Sequence, residues 1–109
     1  MATGRLGTAT LTAATDTTLY TVPADTFAVV SINLCNRSAA NPADVRIAIC
    51  DAATPTNDEF LEYDSELLAS GVIERTGIVM DANKLLVVRA STNDITAVAY
   101  GIETSTATS

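Results

Sequence analysis

The sequence predicts an all-β domain, an antiparallel β-sandwich or jelly-roll-like fold of about seven or eight strands, carrying an extended N-terminal arm. Two observations carry the prediction. Apolar and polar residues alternate with period two through segments rich in β-branched residues, the signature of half-buried strands. Clusters of Asp, Asn, Pro, Ser and Gly interrupt these segments at intervals of roughly 8–12 residues, the spacing of turns in an antiparallel sandwich.

Residues 1–15 are mostly Thr, Ala and Gly with little apolar periodicity. They read either as a loose terminus or as an arm that orders on a neighbouring subunit, with Arg5, Leu6, Thr8, Thr10 and Leu11 as contact candidates. Residues 16–103 form the predicted sandwich and 104–109 a polar tail. Within the sandwich, 17–22 set Leu19 against Tyr20 and Val22, and Pro23-Ala24-Asp25 ends that strand. Ala28, Val30, Ile32 and Leu34 share one face of 27–36, and Val29, Ser31, Asn33 and Cys35 the other. Val45, Ile47 and Ile49 do the same in 45–50 against Arg46, Ala48 and Cys50. These two segments are the expected core strands, and 37–44 is a loop of turn formers in which Pro42 cannot donate to a ladder.

A second loop, 51–58, precedes a short strand at 59–64 with Leu61 and Tyr63 on one face. Residues 65–70 read as a helical turn or a loose connection closed by Gly71. In 72–80, Gly77 predicts a bulge or a close backbone approach. Tight turns at 81–84 and 92–94 bracket a strong strand at 85–91, and 95–103 alternates Thr96, Val98, Tyr100 and Ile102 against Ile95, Ala97, Ala99 and Gly101.

At 109 residues the chain is one domain, too short for a two-domain enzyme with a cleft. The hydrophobic fraction is 48%, but aromatics are 5% and Trp is absent. The core is therefore small-grained, and assembly is expected to contribute to stability; cooperative unfolding of a monomer above about 65 °C would count against that. The formal net charge is −7. Nucleic-acid binding needs a cationic footprint that six scattered Lys and Arg residues do not make, and an anionic membrane surface is disfavoured likewise. No segment is apolar enough for a membrane helix, and the N-terminus lacks the apolar core of a signal peptide. A cytoplasmic origin is expected.

If 27–36 and 45–50 were hairpin partners, Cys35 would lie opposite Val45 and Cys50 opposite Val30. The sulfurs would then be about 17 Å apart, whereas a disulfide needs Cα atoms within about 7 Å. Two free thiols are expected, and two cysteines without histidine do not make a zinc site.

No constellation for catalysis appears. The chain has no histidine, the commonest general base, and neither a phosphate loop nor a nucleophile elbow. Without a base beside them, Cys35 and Cys50 read as inert thiols. The acidic run Asp58, Glu59, Glu62, Asp64, Glu66 lacks the register of a calcium loop and reads as a charged edge that discourages strand pairing. No catalytic residue, metal ligand or cofactor is expected. Arg75, beside Glu74 and near the predicted bulge, reads as a surface ion pair or a partner contact. Tyr20, Tyr63 and Tyr100 read as caps on the core with hydroxyls at the rim, or as a platform for stacking sugars.

The ordered segments 15–24 (TDTTLYTVPA), 29–37 (VVSINLCNR), Glu62-Tyr63-Asp64, 71–80 (GVIERTGIVM) and 98–103 (VAYGIE) together resemble a group of small virion structural proteins of tailed bacteriophages. The resemblance covers residues 15–103. It implies a β-sandwich built into the phage particle, without enzymatic activity and with no catalytic residues to transfer. Proteins of this kind serve as head decoration (cement) proteins or as modules of tails and fibres. The implied localisation is the virion, assembled in the host cytoplasm. The implied partners are the major capsid protein or other virion proteins, and further copies of the chain, commonly as a trimer on a threefold axis. A tail, baseplate or fibre module that binds a host receptor or glycan is the alternative.

Overall fold

The computed structural model describes residues 3–106. It contains eight strands: β1 (Thr3–Thr10), β2 (Thr17–Thr21), β3 (Thr26–Asn36), β4 (Ala43–Cys50), β5 (Phe60–Leu67), β6 (Val72–Met80), β7 (Leu85–Ala90) and β8 (Ile95–Ser105). They form two four-stranded sheets, ordered β1-β8-β3-β6 and β2-β7-β4-β5, in which every neighbouring pair is antiparallel. The chain passes from one sheet to the other at every connection except β4 to β5. That strand order is a jelly roll, a β-sandwich of two interleaved Greek keys.

The alternation in sequence becomes burial. Ala28, Val30, Ile32 and Leu34 of β3 are fully buried, as are Val45 and Ile47 of β4, Leu86 and Val88 of β7, and Ile95, Ala97 and Ala99 of β8. These side chains meet in one core between the sheets. At about 25 cal/mol per Å² of apolar surface removed from water, such burial is the main stabilising term. The grain of the core is fine: Tyr20 is the aromatic residue buried in it.

Three local expectations are corrected. First, the hairpin alignment supposed for the distance between Cys35 and Cys50 does not occur, because β3 and β4 stand in opposite sheets. Their connection spans the roughly 10 Å between sheets. Buried Asn36 organises it: the side-chain amide donates to the carbonyls of Asn41, Leu67 and Leu68, and its oxygen accepts from the Ser38 N–H. Both cysteines are free. Second, 65–70 is not a helical turn. Strand β5 runs on to buried Leu67, and the turn that follows closes with the Gly71 N–H on the Leu68 carbonyl at 2.9 Å. Third, the expected arm is mostly sandwich. Residues 3–10 pair with β8 of the same chain as β1, and Leu11 is buried. Residues 1 and 2 of that arm lie outside the described residues, as do 107–109 of the tail.

The two open sides of the sandwich are closed differently. On one side β1 approaches β2 so tightly that a Cβ on Gly7 would overlap the Leu19 carbonyl oxygen. Tyr20 of β2 also reaches β8 there, where its hydroxyl donates to Glu103. On the other side Arg75 of β6 donates to Glu62 at 2.7 Å and to the Leu61 carbonyl of β5. Gly77 sits in the bulge that interrupts the β3–β6 register, at φ 68°, a left-handed conformation glycine adopts without a Cβ penalty.

Candidate functional site

With the inward faces filling the core, function falls to the two outward faces and the strand edges. The outward face of the β2-β7-β4-β5 sheet holds most of the charge chemistry. Arg46 of β4 grips Asp64 of β5 through two hydrogen bonds of 2.7 and 3.1 Å, and its guanidinium lies 4.2 Å from the Tyr63 ring centre. Phe60 meets Tyr63 edge to face, with ring centres 4.8 Å apart and planes at 81°. Arg89 of β7 pairs with Asp16 at 3.7 Å. Between these groups runs a shallow polar groove of about 190 Å³ bordered by Asp44, Arg46, Asp64, Arg89 and Ser91. A second hollow is lined by Asn57, Phe60 and Tyr63.

The charges in this region are matched rather than frustrated. The hydrogen bond from Arg46 holds the Asp64 carboxyl below the usual carboxylate range, and the same contact raises Arg46. Hydrogen bonds from Ser65 and then Arg75 lower Glu62, and Asp51 raises Lys84. A general acid or base working near neutrality needs a shift the other way, toward the working pH. Cys50 is buried under Phe60 with Ala48 and Val87; burial, and then the nearby Glu59, push its thiol up to about 11.

The acidic run is dispersed by these pairings. Glu59 caps the turn before β5 by accepting from the Thr56 and Asp51 N–H groups, and Asp58 accepts from the Thr56 hydroxyl. Glu62 and Asp64 go to different arginines. Among the described residues no three His, Cys, Asp or Glu side chains converge to hold a metal ion.

The three tyrosines are not brought together. Tyr20 is buried; burial, and then its bond to Glu103, raise its pKa. Tyr63 is exposed on the outward face just described. Tyr100 lies on the outward face of the other sheet, and its hydroxyl donates to Glu74 at 2.6 Å, which raises it. No shared tyrosine platform exists. Arg75 is taken up by Glu62. Arg5, Thr8 and Thr10 are exposed on β1, Leu6 is half-buried against the core, and buried Leu11 is not available as a contact.

One surface was missed by the sequence reading. On the outward face of β1-β8-β3-β6, Val79, Val29 and Ile102 are successive neighbours across β6, β3 and β8, and Phe27 stands beside Val29 along β3. All four are exposed, Val79 to 68% and Ile102 to 55%. With Val72 they make five of the seven large hydrophobic residues exposed among the described residues; the others are Tyr63 and Leu68. The signal was present at 27–30, where both alternating sets, Phe27 with Val29 and Ala28 with Val30, are apolar.

Compared with models of known families, with curated proteins and with solved structures, the chain matches none of them.

Proposed function

We propose that the chain is a non-enzymatic structural protein of a tailed-bacteriophage virion, a decoration (cement) protein that stabilises the head by binding across capsomer seams. Its partners in this reading are the major capsid protein or another virion protein, and further copies of itself. It acts without a cofactor, nucleic acid or membrane, and is assembled in the host cytoplasm.

The observation that carries the reading is the bracing of the sandwich. Both open sides are tied between sheets, by Tyr20 to Glu103 and by Arg75 to Glu62 and Leu61. Four of the arginines and lysines, Arg46, Arg75, Lys84 and Arg89, are committed to neighbouring carboxylates. A seam-bridging protein works by resisting deformation, and a body pinned on both sides suits that task. The ordered sequence resemblance points the same way. The jelly roll is used by capsid and lectin domains alike, an analogy of fold rather than of site.

Cryo-electron microscopy of the intact particle tests the reading. Many copies on the head lattice are expected, and a few copies at the neck, baseplate or fibre would overturn the head assignment. Deleting residues 1–15 is not a clean test of particle contact, because it removes β1 and Leu11 from the fold.

A second reading, a receptor- or glycan-binding module of a tail or fibre, is favoured by one observation. Tyr63 is exposed beside Phe60 and Asn57 in an open hollow, and aromatic faces suit sugar rings. Tyr63→Ala that leaves particle adsorption unchanged, together with a blank glycan array, would remove it.

A further inference from the structure

We propose that the outward face of the β1-β8-β3-β6 sheet is where two copies of this chain meet, across a two-fold axis running along the strands between β8 and β3. The face is the low-charge surface of an acidic chain. Of thirteen Asp and Glu residues, Glu74 is the one at an outward strand position there. Opposite it on the far edge strand stands Arg5, placed outward beside Tyr100 by the β1–β8 register and exposed.

The arrangement is complementary to itself. Rotation about the proposed axis lays β8 of one copy over β3 of the other, and β1 over β6. Ile102 then faces the partner's Val29, Val29 faces the partner's Ile102, and Val79 covers the end of the partner's β1. The same rotation brings Arg5 over the partner's β6, near Glu74. Those two positions differ by one step of two residues along the strands, because Arg5 registers with Tyr100 and Ser31 while Glu74 registers with Asn33 and Val98. That step is about 7 Å, which an arginine side chain covers. Two such pairs form, one on each side of the axis, as an isologous contact requires. The apolar row supplies the driving force, and the flanking charges fix the register. A trimer would need two different patches that fit each other, whereas this face fits its own copy.

The inference goes beyond the virion reading and does not rest on it, since it concerns the isolated chain. Sedimentation equilibrium of the full chain up to about 1 mM, the weak end of specific association, is expected to show a species of twice 11.3 kDa. Val79→Lys and Ile102→Lys replace exposed side chains, so the fold should persist, as unchanged circular dichroism and melting would verify. Each is expected to weaken association at least about tenfold. Arg5→Glu and Glu74→Arg should each weaken it alone and restore it when combined. A monomer throughout, a trimer, or a dimer indifferent to Val79→Lys and Ile102→Lys overturns the proposal. A double exchange as weak as either single one overturns the two-fold register.

Discussion

Replacing Asn36 tests how far one buried amide holds the sheets in their places. Its side chain is 1% exposed and its two amide hydrogens are shared among three carbonyls, at 2.9 Å to Asn41, 3.2 Å to Leu67 and 3.3 Å to Leu68. Asn36→Ala removes these bonds and the acceptor for the Ser38 N–H. Two hydrogen bonds contribute about 1 kcal/mol each, and a carbonyl left dry costs about 1 kcal/mol or more, giving about 2–4 kcal/mol in all. At about 4 °C per kcal/mol for a domain of this size, Tm should fall by about 8–16 °C. Thermal and urea unfolding followed by circular dichroism measure this, and a fall below about 3 °C would refute the reasoning. Asn36→Asp is the sharper companion, because it turns a donor into a carboxylate facing carbonyls. Burial against those oxygens raises the folded-state pKa of the new group above its unfolded value. The folded state then binds the extra proton, so stability relative to the natural chain should be lost as pH rises through the carboxylate range and regained on acidification. Asn36→Ala should show no such relative pH dependence, and a flat Asn36→Asp profile would contradict the geometry.

Three further outcomes are expected. Tyr20→Phe should cost about 1 kcal/mol; because the folded pKa of Tyr20 is raised, its stabilisation is present below the ordinary tyrosine value near 10 and lost as pH rises through the folded value. The natural chain should therefore destabilise more steeply than Tyr20→Phe above that pH in alkaline unfolding curves. Gly7→Ala forces β1 away from the Leu19 carbonyl and should destabilise by about 1–3 kcal/mol, measured by urea unfolding, whereas unchanged stability would mean the β1–β2 approach is looser than described. With its thiol pushed up to about 11 and fully buried, Cys50 should resist alkylation in the native state at pH 8, so mass spectrometry should find Cys50 labelled only after denaturation.

What the sequence disclosed follows from what alternation encodes. Period two tells which residues point inward, so the strands through Ile32, Ile47, Val88 and Ala97 were legible, and so was the bulge at Gly77. Alternation is silent on which sheet a strand joins, since Val45 buried from one sheet looks like Val45 buried from the other; whether β3 and β4 pair was therefore not legible. Strand β1 was hidden because its inward positions are served by half-buried Leu6 and Ala9 between glycines and threonines, which leaves no apolar rhythm to read. Arg75 forms an ion pair with Glu62, which lies across the gap between sheets, a relation no local pattern contains. The apolar outward face was obscured by the same reasoning that found the core, because Val29, Val79 and Ile102 belong to strands whose other faces are already apolar.

The placement of β8 ties together strands from opposite ends of the described chain. It is the last strand of the domain, yet it lies inside its sheet, between β1 and β3. The opposite sheet has all its members once Ala90 has been added. The first sheet, by contrast, holds β1 without any neighbour until the stretch from Ile95 onward arrives. The first sheet is therefore continuous only where the two terminal strands have met, with β8 filling the place between β1 and β3. Since β1 has β8 as its one ladder partner, the pairing that seats the strand nearest the start of the chain is also among the most distant in sequence, and such non-local pairing is what slows the folding of β-sandwiches.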